Sequence, residues 1–154
     1  MEPVRSSVQL NTSLNEAFAA FTDRFGSWWP NAYTLSKETL DTVGIEPREG
    51  GFCYEIGPHG FRCDWGRVKA WNPPHNLEFL WQVSPSSAPD PNPDHASEVQ
   101  VRFSALQSGL TLVELVHSNF ERHGEGSREY REEFASEYGW SYLLREFQEH
   151  ANGA

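Results

Sequence analysis

Between Thr42 and Ser118 the chain runs in short stretches where apolar and polar residues alternate, each closed by residues that preset a turn. Period-two alternation is what a strand with one buried and one wet face requires, so consecutive antiparallel strands are expected over 42–47, 52–56, 61–71, 77–84, 97–106 and 110–118. The breaks are Glu49-Gly50-Gly51, Gly57-Pro58-His59-Gly60, Asn72-Pro73-Pro74-His75 and Ser108-Gly109, which favour turn dihedrals or tolerate positive φ. Val4 to Leu10 alternates in the same way and reads as a first strand. Ser84 to His95 carries Pro85, Pro89, Pro91 and Pro93, cannot pair centrally, and reads as a long mobile loop. A sheet of this kind has an apolar face that something must cover.

The cover is expected at both ends of the chain. After the first strand, Ser13 offers an N-cap with Glu16 three residues on, followed by Leu14, Ala17, Phe18 and Phe21 at helical spacing. That helix ends near Asp23, and a second short helix or turn leads from Phe25 to Trp28-Trp29-Pro30. Beyond the polar stretch after His117, Tyr130, Phe134, Tyr138, Leu144, Phe147 and Ala151 recur along one face of a terminal helical region, which Gly139 breaks or bends. The chain is an α+β protein, expected to form a single domain over residues 1–154.

Charge narrows the partners. Twelve Lys plus Arg against 22 Asp plus Glu give a net charge of −10, which repels phosphate backbones and anionic lipid, so neither nucleic acid nor membrane is an expected partner. No apolar run suits a membrane span or a signal peptide, making the cytoplasm the default location. The six histidines show no zinc-ligand spacing and there is no phosphate loop, so no metal and no cofactor is expected. Cys53 and Cys63 are expected to be reduced and on opposite faces of their hairpin.

Several short motifs occur in a telling order: Gly50-Gly51-Phe52, Asp64-Trp65-Gly66-Arg67-Val68, Pro73-Pro74, Leu77-Glu78-Phe79-Leu80-Trp81, Ser97-Glu98-Val99, Thr111 to His117, and Gly139-Trp140. Together they resemble the helix-grip (START-like, SRPBCC) superfamily of birch-pollen-allergen-type proteins and polyketide cyclases. Within it they are similar to the bacterial branch related to the activator of the heat-shock-protein-90 ATPase. The resemblance implies a curved antiparallel sheet of about seven strands gripping a long C-terminal helix, two short helices after the first strand, and an internal cavity. Members include lipid carriers, cyclases and chaperone activators, so it implies no single activity.

Alternation then selects the side chains that face such a cavity. Leu77, Phe79, Trp81 and Val83 share one face, as do Val99, Val101 and Phe103, and extending Val113 and Leu115 by two brings His117 inward at the cavity mouth. There it is a candidate acid/base, its alternative being a structural histidine bonded to backbone, and its replacement by Leu is expected to cost little stability. If Glu55 pairs with Arg62 and Cys53 with Asp64, then Glu55, Arg62 and Asp64 face in, with Gly66, Val68 and Ala70; a one-residue slip instead turns Cys63, Trp65 and Arg67 inward. Trp28, Trp29 and Tyr33 lie in the segment that closes over the cavity in similar proteins, their alternative being ordinary packing. Tyr54, Phe79, Trp81 and Tyr138 complete the candidate ligand contacts.

Three functions fit. The first is a binding protein for a hydrophobic, aromatic or polyketide-like small molecule. The second is a cyclase or dehydratase using His117, helped by Glu55 or Asp64. The third is an interaction module with a chaperone, or a second copy of the chain, as partner.

Overall fold

The computed structural model describes residues 1–152. Its seven strands are β1 (Val4–Leu10), β2 (Thr42–Ile45), β3 (Phe52–Ile56), β4 (Arg62–Asn72), β5 (Asn76–Trp81), β6 (Ser97–Gln107) and β7 (Leu110–Ser118). They form one antiparallel sheet in the order β1-β7-β6-β5-β4-β3-β2, so all but β1 pair with a sequence neighbour. The helices are α1 (Leu14–Phe21), α2 (Phe25–Trp28), α3 (Ser127–Ala135) and α4 (Trp140–Asn152). This is the helix-grip arrangement, with α4 lying along β1 and the short helices closing the same face.

Local chemistry accounts for the helix ends. Ser13 Oγ accepts the Glu16 N–H at 3.2 Å, capping α1 as its sequence foretells. Gly139 separates α3 from α4 because a Cβ there would stand 2.1 Å from the Phe134 carbonyl oxygen. The core below the sheet is aromatic: Phe21 meets Phe103 and Phe147 edge-on, while Phe18 bridges Trp71 and Phe103.

The β3–β4 hairpin departs from the pairing of Glu55 with Arg62 and Cys53 with Asp64. Ile56 pairs with Arg62, Glu55 with Cys63 and Tyr54 with Asp64; then a bulge intervenes and Cys53 pairs with Gly66. Below the bulge the slipped register holds, so Cys63 and Trp65 turn inward while Arg62 and Asp64 are exposed. Beyond it Gly66 and Val68 are buried and Arg67 is exposed, as the other register requires. A second bulge after Val68 sets Ala70 opposite Glu78 and turns Trp71 toward Phe18. Cys53 and Cys63 therefore share the inner face, contrary to the sequence expectation, yet their opposing residues are Gly66 and Glu55 and both thiols are free.

Ser84 to His95 is more structured than a sequence of prolines predicts. Ser84 N–H donates to Ala88 O, Asp90 N–H donates to Gln82 O, and Gln82 Nε2 donates to Pro91 O. The segment folds back on the end of β5 as a small hairpin of its own, with Val83 bridged to Pro89.

Candidate ligand-binding site

A cavity of about 530 Å³ opens between the β2–β5 half of the sheet and the junction of α3 with α4. Its floor is Val43 of β2, Glu55 of β3, Trp65 of β4, and Trp81 and Val83 at the end of β5. Tyr130, Glu133 and Phe134 of α3 and Leu143 of α4 form the opposite wall, joined by Ser136, Tyr138 and Gly139 of the linker. The third side is a strap from Trp29 to Lys37, where Pro30 ends the α2 turn and the chain crosses in short 3-10 turns.

Two fastenings hold the strap. Tyr33 Oη donates to the Tyr138 carbonyl at 2.7 Å, tying it to the α3–α4 linker. The Glu55 carboxylate accepts the N–H groups of Leu35 at 2.9 Å and Ser36 at 2.8 Å, one on each oxygen. Glu55 is 1% exposed and is the one buried carboxylate among the described residues. Two backbone donors compensate part of its lost hydration, and no cation pairs with it.

The walls are built for flat apolar groups. Trp29 and Trp65 are nearly parallel, 11° apart with centroids at 6.1 Å, and Trp81 packs at an angle to both. Phe134 sets its edge on Trp81 at 5.3 Å. Trp81 Nε1 donates to Tyr130 Oη at 2.7 Å, and that hydroxyl donates in turn to Val83 O at 2.7 Å. Burial pushes the Tyr130 phenol up to about 12, so it stays neutral. Trp65 keeps its indole N–H buried without an acceptor.

His117 lies elsewhere. It is wholly buried and does not line the cavity, because the ends of β6 and β7 are covered by Phe120, Phe134 and Trp140. Its Nδ1 accepts the Trp140 indole N–H at 3.0 Å and its Nε2 stands 2.7 Å from Ser97 Oγ. Ser97 Oγ is also 2.7 Å from His123 Nε2. Burial, with a smaller push from His123, holds the His117 pKa well below the usual imidazole value, and burial lowers His123 to about 4. The expectation of a histidine at the cavity mouth is corrected: His117 is the hub of a closed polar chain.

The other candidates divide. Trp29, Tyr33, Glu55, Trp81 and Tyr138 line the cavity. Trp28 does not; it packs between Phe21, Phe25 and Phe147, the ordinary packing that its alternative allowed. Phe79 lies in the core against Trp65. Tyr54, Arg62 and Asp64 stand on the outer face, where Arg62 covers the Tyr54 ring at 4.7 Å and bonds Asp64 at 2.9 Å. Tyr54 alternates with the inward Cys53 and Glu55, while Arg62 and Asp64 flank Cys63, which takes the inward place opposite Glu55. Tyr138 is 68% exposed at the rim, in the linker and not on the docking face of the helix. Reasoning from sequence leaves out of the site Trp65's companions Tyr130 and Phe134, whose helical spacing reads as packing alone, and Leu143, which it does not single out. It also missed Lys37, Ser87 and Glu133, which sit on loops and a rim with no periodic signal.

The family model for activator of Hsp90 ATPase homolog 1-like protein matches residues 11–152. Among solved structures, an anthrahydroquino-gamma-pyrone synthase, Txn09, complexed with SUM, is 34% identical with a TM-score of 0.67, the match covering 96% of both chains. A self-sacrificing resistance protein, CalC from Micromonospora echinospora, is 26% identical over 98% of this chain and 94% of that one, with a TM-score of 0.66. The Aha1 dimer from Colwellia psychrerythraea shares the fold at 14% identity and a TM-score of 0.62, over 99% and 97% of the two chains. A search of curated proteins gave no match.

Proposed function

The chain belongs to the activator of Hsp90 ATPase homolog 1-like family, and from that premise we propose that it binds a planar, polycyclic, polyketide-like aromatic molecule in the cavity above β3 to β5. The observation that carries this reading is the pair of near-parallel indoles, Trp29 and Trp65, on a wall completed by Trp81 and Phe134. A volume of about 530 Å³ suits three or four fused rings, and such cavities bind chiefly by burying apolar surface. The likeness to a synthase of polycyclic pyrones supports the same class of ligand.

A second reading, an enzyme that closes a ring on such a molecule, is favoured by the same 34% identity. Its acid/base would be Glu55, which lines the cavity, in place of His117, which does not. Native mass spectrometry against a panel of tricyclic and tetracyclic aromatics tests binding. One ligand per chain is expected, with binding lost in Ala32→Trp, which fills the mouth while leaving the core intact. A panel with no adduct would overturn both readings, and an adduct of changed mass would favour the enzyme.

A further inference from the structure

The hydroxyls lining the cavity have almost all spent their hydrogens. Tyr33 donates to Tyr138 O, Thr34 to Asn31 O, Tyr130 to Val83 O and Ser136 to Glu133 O, each at 2.7 Å. Lys37, Ser87 and Tyr138 retain donors, but all three are exposed at the rim. Deeper in, Glu55 holds two carboxylate oxygens, each accepting a single backbone N–H, and a carboxylate oxygen has room for two. The inner wall is therefore rich in acceptors and carries a buried negative charge.

Resting on the reading of the cavity as an aromatic-ligand site, we infer that it selects ligands carrying a neutral phenolic hydroxyl and rejects carboxylates, with Glu55 as the residue that reads the hydroxyl. A phenol is donor and acceptor at once. Its hydrogen goes to Glu55. An ether supplies only the acceptor and leaves Glu55 without a new partner. A carboxylate brings a second negative charge beside a desolvated one, where repulsion is least screened.

Three matched probes separate these cases: 2-hydroxyanthracene, 2-methoxyanthracene and anthracene-2-carboxylate, titrated at pH 7 and followed by anthracene fluorescence. The hydroxyl probe should bind at least about tenfold more tightly than the ether, as a hydrogen bond to a charged group implies, and the carboxylate more weakly than either. In Glu55→Gln the ratio of hydroxyl to ether affinity should collapse toward one. The ether affinity serves as an internal control for the strap, because Gln also disturbs the Leu35 and Ser36 anchors. The wild-type panel decides the matter even where the variant does not fold. Equal affinities for hydroxyl and ether, or tightest binding by the carboxylate, would overturn this inference and leave the aromatic-site reading standing. Failure of all three probes to bind would overturn both.

Discussion

His117 Nδ1 accepts its hydrogen bond from the indole N–H of Trp140, and this fixes the direction of a whole chain. An indole can only donate, so the neutral His117 carries its proton on Nε2 and gives it to Ser97 Oγ, which is left to donate to His123. Strand β7 and helix α4 are thus joined through a group that cannot be exchanged for an apolar one of similar size.

Replacing His117 with Leu should therefore lower unfolding free energy by about 1 to 3 kcal/mol, since the Trp140 N–H loses its buried acceptor. This reverses the mild effect expected from sequence. His117→Gln, which offers both an acceptor and a donor, should recover part of the loss. Urea denaturation measures both, and ligand affinity should not change in either. A His117→Leu protein as stable as wild type would show that the chain contributes nothing.

Acid should destabilise the protein through the same chain. Both histidines titrate lower in the folded state than the ordinary value of 6.5, so the unfolded chain takes up protons first as pH falls. Their contribution is complete above pH 6.5 and drains away below it, toward about 4 for His123, with His117 adding its own loss in the same direction. Melting curves at intervals between pH 7.5 and 4.5 should slope downward from near 6.5, before the exposed carboxylates titrate. His123→Gln should flatten the upper part of that slope.

Gly139→Ala tests the seam between α3 and α4. Its Cβ would meet the Phe134 carbonyl at 2.1 Å and the Glu133 carbonyl at 2.7 Å, both backbone atoms that cannot step aside. A loss of about 3 kcal/mol is expected, with weakened aromatic binding because this seam lines the cavity. The control is Gly109→Ala, where φ is +75° but the space is open, and only about 1 to 2 kcal/mol is at stake.

Tyr33→Phe removes the hydrogen bond to Tyr138 O and almost no packing. Stability should fall by about 1 kcal/mol at most. Stopped-flow mixing with 2-methoxyanthracene should show faster entry and faster release together, since the strap loses one of its two fastenings. Unchanged rates would place the route of entry elsewhere.

Alkylation without reductant distinguishes the two cysteines. Cys63 is half-buried and should label slowly in the native protein, whereas Cys53, fully buried, should label only on unfolding. Burial raises both thiol pKa values, so neither reacts as a ready thiolate.

The sheet was legible because alternation is a property of consecutive residues: β3 and β7 lie where period two places them, as do the inward sets on β5 to β7. Arg62 and Asp64 fall outward because Cys63, and not Arg62, pairs with Glu55, a register that no pattern of polarity reveals, while Tyr54 lies outward by the same alternation that turns Cys53 and Glu55 in. A bulge adds a residue to one strand only, and the two registers flanking it are each correct for half of the hairpin. His117 was rightly turned inward, but whether an inward residue meets a void or a neighbour depends on Phe120, Phe134 and Trp140, which arrive from later in the chain. Glu55 is inward as expected because it alternates with Cys53, although the pairing with Arg62 that placed it there does not form, while Tyr130 and Phe134 carry the same helical signal as any buried face.

The bulge at Trp65 also bears on how such a cavity can change over time. Pairing with β3 is complete on either side of it without residue 65, whose carbonyl instead accepts the Gln82 N–H beyond the end of β5. A one-residue insertion or loss there would furnish or strip the cavity's wall while β3 and β4 keep their pairing, at the cost of the one bond to Gln82. A lineage could remodel what it holds at the cost of a single codon, without rebuilding the scaffold around it.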